Sequence, residues 1–390
     1  MHLARIVIAF ASLIAASFTA CADSWLPPQV KTYLSANKRV RFTVTPRDLE
    51  GPLPYFEGKQ RGDDKPGQLP GSNATAPRGL LEHALGNGGW QTVWARDLVN
   101  DVAPVSALVS NTGAYVVTFD NWHSKGFGKD AVVIYGPQAK LVRAFALNDI
   151  LPDYYVDALP RSVSSLQWNG KHTIDQPVGM LKLKIIVPTQ SSAEAESYIE
   201  VGIELATGVV RPPKDGSWER ALAQAARARK AQQAAEAADD ARFRAPLIGP
   251  TSVDEGDWHQ YLVEAFFRLD PCWDDHYPAV KILRDPRAAD YAPSEVWLRE
   301  EFADPNAAEE RVIVIASPAS PDNLVKVLTA IIGTQKPNAL KGSRFYAAVP
   351  ASHRARVAAA IAPTAAIFVH IEPTVPIPQR PERLVRRFGK

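Results

Sequence analysis

Residues 105–119 read VSALVSNTGAYVVTF, two apolar runs joined by the polar segment Ser-Asn-Thr-Gly at residues 110–113. A short polar connection containing glycine between two β-prone runs predicts an antiparallel hairpin. Two further apolar runs follow at residues 131–135 and 141–146, joined by Gly-Pro-Gln. We therefore expect a four-stranded antiparallel meander here.

A second set of strand-like runs follows, with Asn169-Gly170 as a typical two-residue hairpin turn, at residues 164–168, 172–174, 181–187 and 198–205. Between the two sets we expect a short helix over residues 148–159, with Asn148 as its cap. Upstream, residues 39–45 and 90–95 read as strands that flank a Pro- and Gly-rich stretch, residues 51–79. That stretch is either a mobile excursion or a segment packed over the sheet, and its composition leaves both open.

The segments ALVSNTGAYVVTF at 107–119, VVIY at 132–135 and KLVR at 140–143 together resemble one blade of a β-propeller of the TolB or WD40 general type. The resemblance covers about 40 residues, or about 100 if the second set is counted. A closed propeller needs about four blades or more. The resemblance therefore implies a sandwich or a partial propeller, and it implies no functional residue.

The composition becomes Ala-rich and charged over residues 214–245, which predicts one exposed helix at residues 218–244. We therefore divide the mature chain into a mainly antiparallel β domain at residues 23–213, this linker helix, and a small α/β domain at residues 246–390 with a Pro-rich tail. The overall fold class is α+β.

The last domain alternates apolar runs with helical segments. The capping box Ser252-Val-Asp-Glu255 predicts a helix through Phe267. Strands are expected at residues 311–316, 344–349 and 366–371, and helices at residues 320–332 and 353–362.

Residues 1–22 have the three parts of an export signal: a basic start at Arg5, an apolar run at residues 6–16, and Ala20-Cys21-Ala22 at the cleavage site. They predict a periplasmic or secreted protein. Alternatively, Cys21 carries lipid and anchors the N-terminus to the outer membrane. No later stretch is long and apolar enough to predict a transmembrane segment.

The charges are nearly balanced, with 44 Lys+Arg against 42 Asp+Glu, so we expect no nucleic-acid partner. The sequence contains no phosphate-binding Gly-rich loop, no Gly-x-Ser-x-Gly and no His-Glu-x-x-His. We therefore expect no cofactor and no metal.

Two loops carry candidate catalytic residues. Asp120 and His123 stand three apart at the end of a predicted strand, where they suit a base and its orienter or a metal site. The alternative is that Asp120 satisfies backbone groups of a turn while Trp122 covers the sheet edge. Asp275 and His276 lie in DPCWDDHY at residues 270–277, whose ligand types suit zinc but whose spacing matches no metal signature.

The leading functional hypothesis is a non-enzymatic binding or scaffolding role in the bacterial envelope, with an envelope protein as partner. Trp122 and Trp168 are the candidate binding residues, because aromatic side chains suit interfaces. One alternative is a hydrolase or metal-dependent enzyme that uses an Asp/His loop. Another is a binder of small ligands or glycans that uses the aromatic residues of the β domain.

Overall fold

A computed structural model describes residues 26–190, 195–303 and 311–389. The chain divides into two compact units, Met1–Ala235 and Glu236–Lys390. The expected export signal and Cys21 lie outside the described residues. The fold is α+β, as predicted, with antiparallel sheets first and a parallel sheet after them. Within the described ranges, no helix has the length and apolarity needed to cross a membrane.

The first unit contains three four-stranded antiparallel sheets, each built from consecutive strands. The strands are β1 (Lys31–Leu34), β2 (Val40–Thr45), β3 (Arg78–Ala84), β4 (Trp90–Asp97), β5 (Pro104–Val109), β6 (Val116–Asn121), β7 (Val132–Tyr135), β8 (Leu141–Phe145), β9 (Thr173–Asp175), β10 (Met180–Val187), β11 (Ser197–Glu204) and β12 (Val210–Arg211). The meander expected from residues 105–146 is confirmed. Its first hairpin closes with Val109 opposite Val116. The resemblance to propeller blades stays a prediction.

The middle sheet, β5–β8, packs on both of its faces. Val117 and Phe119 belong to a core shared with β10 and β11, whereas Val116 and Val133 belong to a core shared with β2 and β3. Neighbouring residues of a strand point to opposite faces. The mostly apolar start of β6 and the uninterrupted apolar run of β7 therefore fit strands that are buried on both sides.

The stretch at residues 51–79 is packed against the first unit and contains helix α1 (Pro52–Arg61). The buried Arg47 holds it through hydrogen bonds to Pro66 O (3.1 Å) and Asp101 Oδ1 (3.1 Å). Tyr55, on α1, donates to the other oxygen of Asp101 at 3.0 Å. Of the two alternatives for residues 51–79, the packed segment is thus the correct one.

Two expectations for the first unit are wrong. Helix α2 spans only Asp153–Ala158, because Pro152 at its start disfavours helical geometry in the residue before it. Asn148 lies in a separate helical turn and does not cap α2. Residues 164–168 make only isolated bridges, and Val210–Arg211 supplies the fourth strand of the third sheet.

Helix α3 (Ser217–Arg244) is confirmed, and the division between the two units falls within it. Its fully buried residues are Ala221, Ala225 and Ala228, spaced four and three apart. This spacing places them on one face of the helix. The other residues of the helix are at least partly exposed, as its composition predicts.

The second unit is built on a parallel sheet of four strands in chain order: β13 (Ala279–Ile282), β14 (Val312–Ala316), β15 (Arg344–Ala348) and β16 (Ile367–Ile371). Its helices are α4 (Glu255–Leu269), α5 (Tyr291–Ala303), α6 (Pro321–Ile332), α7 (Arg354–Ile361) and α8 (Pro381–Phe388). On β14, Val312 and Val314 share a core with α4, whereas Ile313 and Ile315 share one with α5, α6 and α7.

Three features of this unit differ from expectation. Strand β13 and helix α5 were not predicted, because their apolar pattern is short and only partly buried. Helix α4 is capped by Asp254, whose side chain accepts from the Asp257 amide at 3.0 Å, and not by Ser252. The Pro-rich tail ends in helix α8.

Candidate functional site

Asp120 is buried at the end of β6, in a left-handed backbone conformation with φ of 57°. Its Oδ1 accepts hydrogen bonds from the Gly126 amide (2.7 Å) and from Trp168 Nε1 (2.9 Å). Burial raises the pKa of Asp120 to about 6, although these hydrogen bonds oppose the rise. The carboxylate thus ties the connection after β6 to Trp168, whose carbonyl oxygen accepts from the Ile186 amide of β10 at 2.8 Å.

His123 has different neighbours. Its ring lies 4.1 Å from the ring of Phe56 and 5.6 Å from that of Trp122, measured between centroids. The Asp120 carboxylate and the His123 ring therefore make separate sets of contacts, one with Gly126 and Trp168 and the other with Trp122 and the aromatic residues of α1. In the described part of the chain, no group of three or more His, Cys, Asp and Glu side chains is placed to hold a metal ion.

His172 packs on Trp168, the residue that donates to Asp120, and sequence reasoning missed this contact. Its ring lies 5.0 Å from that of Trp168, and its Nδ1 accepts from the Lys184 amide at 3.1 Å. Burial lowers the pKa of His172 to about 4. A single histidine before the short strand β9 gives no local sign of this contact.

The two candidate binding tryptophans occupy different environments. Trp168 is fully buried within the core of the first unit. Trp122 is also buried, but it lines two surface hollows of about 290 and 490 Å³. Its indole Nε1 donates to the carbonyl oxygen of Leu26 at 2.9 Å.

Asp275 and His276 lie together in an open pocket of about 590 Å³ in the second unit. Besides these two residues, the pocket is lined by four aromatic side chains, three arginines and one more aspartate: Phe243, Phe267, Trp273, Tyr277, Arg383, Arg386, Arg387 and Asp274. Its volume lies within the range of small-molecule sites, roughly 300–1,000 Å³. We call it the arginine–aromatic pocket.

The loop that forms one wall of this pocket is anchored by Asp270. This fully buried carboxylate accepts from the Cys272 amide (2.7 Å) through Oδ1 and from Arg344 Nε (2.7 Å) through Oδ2. Tyr346 also donates to Oδ2, at 2.8 Å. Tyr277, in the same loop, is 70% exposed. The loop therefore presents its aromatic residues to the pocket.

Helix α8 supplies the arginines of the opposite wall. Arg383 makes two hydrogen bonds to the Glu264 carboxylate, at 2.9 and 3.1 Å, and its guanidinium lies 5.0 Å from the centre of the Phe243 ring. Burial favours the protonated form of Glu264, but hydrogen bonds from Arg383 and Arg268 hold the pKa of that carboxyl below its usual value. The contacts of Arg383 thus hold α8 in place.

Arg386 is held more loosely. It pairs with Asp274, but the two side chains are 67% and 62% exposed. Exposed ion pairs contribute only about 0–1 kcal/mol, so a bound anion can compete with Asp274 for this guanidinium. The guanidinium also lies 5.6 Å from the centre of the Trp273 ring, which forms an apolar surface beside the charge.

His276, which lines the pocket, also has an unpaired polar atom. Its Nδ1 is buried and makes no hydrogen bond within the described residues. Buried polar atoms in folded proteins nearly always have a hydrogen-bond partner, which can be a water or a ligand. The pocket thus combines an aromatic surface with an exchangeable cation.

A second histidine, His353, lies at the carboxyl end of the parallel sheet, and its contacts suit a catalytic role less well. His353 has Ser352 Oγ 3.1 Å from its Nδ1 and Asp322 Oδ1 3.3 Å from its Nε2. The approach to Asp322 lacks hydrogen-bond geometry, and Arg356 binds the same carboxylate oxygen. These contacts join the start of α6 to α7.

No protein-family model matches this chain, and no curated protein is significantly similar to it.

Proposed function

We propose that this chain is an exported protein, periplasmic or secreted, with a non-enzymatic binding role, and that the arginine–aromatic pocket is its ligand site. Export is supported by the pattern of residues 1–22, with lipid attachment at Cys21 as the alternative mode. The observation that carries the binding role is the pairing of an exposed, exchangeable Arg386 with the Trp273 ring in one open pocket.

The ligand that fits this pocket carries an anionic group on a flat or ring-shaped body. Arg386 would receive the carboxylate or phosphate, because a guanidinium binds such groups through several aligned N–H donors. The body would stack on Trp273 and Tyr277. The hydrolase alternative has less support, because the hydrogen bonds of Asp120 tie a connection to the core and His123 packs among aromatic rings.

The test is calorimetric titration with three anionic probes: D-glucuronate, adenosine monophosphate and 4-hydroxybenzoate. Glucose, adenosine and phenol serve as their neutral counterparts. We expect at least one anion to bind and its neutral counterpart to bind much more weakly.

The Arg386→Gln variant should weaken that binding by roughly tenfold to a hundredfold, the usual effect of losing a charge-assisted hydrogen bond. Arg299→Gln is the matched control, since Arg299 also forms an exposed ion pair on a helix of the same unit, with Glu295. Equal binding by the native chain and Arg386→Gln would contradict the proposal.

A protein partner in the envelope is a second candidate occupant of this surface. Tyr277, Trp273 and Arg386 are of the residue types that dominate binding energy in protein interfaces, and all three line the pocket. Crosslinking of the native chain and of Arg386→Gln in envelope preparations tests it. A partner that is lost from the variant supports this candidate, and a partner retained equally by both chains rejects it.

A further inference from the structure

The first unit carries a separate feature around Trp122. The extended segment Leu26–Gln29 passes over this side chain just before β1 begins at Lys31. Pro27, Pro28 and Trp122 line both of the adjoining hollows, of about 290 and 490 Å³. The proline segment therefore divides one longer groove into two parts, with Trp122 common to both.

The walls of this groove come from rigid parts of the fold. The smaller hollow is bounded by Val44 on β2 and by Val105 on β5, and the larger by the turn from Thr45 to Pro52. Trp122 itself is held by its backbone amide, which donates to Ala103 O at 2.8 Å, and by its packing on Tyr55. The groove is therefore preformed, apart from the segment that crosses it.

The segment is held less firmly than the groove. Leu26 is 81% exposed and Val30 is 60% exposed, so the segment buries little apolar surface at either end. Among the described residues, a side chain holds this segment through the hydrogen bond from Trp122 Nε1 to Leu26 O, at 2.9 Å. Regular strand pairing starts only with Lys31, opposite Val44. A competing peptide would therefore have to replace few contacts between this segment and the groove.

The segment that crosses the groove contains two prolines, of which Pro27 is exposed and Pro28 is half-buried. A residue before proline is restricted to extended conformations, and proline itself fixes φ near −65°, so Leu26-Pro27-Pro28 loses little conformational entropy on binding. An aromatic groove that takes proline side chains, with an indole N–H that binds a carbonyl, is a recurring way of recognising extended proline-rich peptides.

We propose that the Trp122 groove is a recognition site for an X-Pro-Pro segment of a partner protein, and that the chain's own Leu26-Pro27-Pro28 occupies it as an autoinhibitory contact. The tethered segment has a high effective concentration, of millimolar order for a short flexible tether. It therefore lowers the apparent affinity of the native chain for any partner segment.

The experiment uses the double variant Pro27→Ser/Pro28→Ser, which weakens the internal occupant. The probe is a fluorescein-labelled peptide with the sequence of residues 26–32, LPPQVKT, followed by anisotropy. We expect the variant to bind this peptide at least about tenfold more tightly than the native chain does. Trp122→Phe in the same background should weaken peptide binding by roughly fivefold, because it removes the indole donor while keeping an aromatic ring.

The control peptide LSSQVKT should bind at least about tenfold more weakly than LPPQVKT. Equal binding of the two peptides, or equal binding of LPPQVKT by the native and double-variant chains, would overturn the proposal. If the double variant does not fold, a chain that begins at Gln29 replaces it in the experiment, because that chain lacks the Leu26-Pro27-Pro28 segment. Light scattering measures the oligomeric state of both chains. A dimer of the native chain that is lost in the double variant would mean that the segment of a second copy occupies the groove. That result would also overturn the proposal.

Discussion

Replacing Asp120 with Asn is expected to stabilise the first unit at neutral pH and to leave its stability unchanged in acid. Asn keeps a side-chain oxygen that accepts the hydrogen bonds from Gly126 and Trp168, but it removes the buried charge. Burial raises the pKa of Asp120 from 3.8 to about 6, so the folded chain binds this proton more tightly than the unfolded chain does.

The sign and size of the effect follow from that difference. The stability due to the bound proton is fully present below pH 3.8 and is lost as the pH rises through 6. Each pKa unit corresponds to about 1.4 kcal/mol, so the ionised carboxylate destabilises the fold by about 3 kcal/mol above pH 7. Between about pH 5 and pH 7.5, the native chain should lose roughly 1–2 kcal/mol relative to Asp120→Asn.

Urea unfolding followed by tryptophan fluorescence, at several values between about pH 5 and pH 7.5, measures this difference. Asp97→Asn is the control, because it makes the same substitution at an exposed carboxylate on β4 of the same unit. A free-energy difference between Asp120→Asn and the native chain that is the same at every pH would refute the reasoning.

Two further substitutions test the buried polar groups of each unit. The pKa of His172 falls from 6.5 to about 4, so its contribution to stability is present above pH 6.5 and is lost as the pH falls toward 4. His172→Gln keeps an acceptor for the Lys184 amide and should be more stable than the native chain by roughly 2–3 kcal/mol near pH 4.5, with the gain absent near pH 7.5 in urea unfolding. Asp270→Ala leaves Arg344 and Tyr346 without their buried carboxylate, and should destabilise the second unit by about 3–5 kcal/mol in thermal unfolding. A loss below about 1 kcal/mol would show that Asp270 is not the anchor of the pocket loop.

Local sequence patterns were enough to predict the strands of the middle sheet. Every residue of β6 and β7 is buried, and a continuous apolar run bounded by turn residues signals such strands directly. Helix α1 could not be found in this way, because Pro52, Pro54 and Gly58 are typical of a loop. Its position depends on Arg47, a buried side chain outside the helix, and such a contact leaves no local pattern.

Only part of the arginine–aromatic pocket could be predicted from the sequence, for a similar reason. Asp275 and His276 stood out as polar residues in one aromatic loop, but Arg383 and Arg386 lie more than 100 residues further along the chain. They reach the loop because α8 docks through ion pairs with Glu264 and Asp274, not through a buried apolar stripe. The usable signal was Pro381 followed by arginines at helical spacing, which predicts a short helix with one basic face.

The most direct test of the binding role is to identify what the native chain carries from its own compartment. Native and Arg386→Gln chains are purified side by side from envelope extracts, and the small molecules released on denaturation are compared by mass spectrometry. The account predicts an anionic molecule with a ring or flat body that accompanies the native chain and is depleted at least tenfold from Arg386→Gln. The same set of molecules in equal amounts on both chains would contradict it.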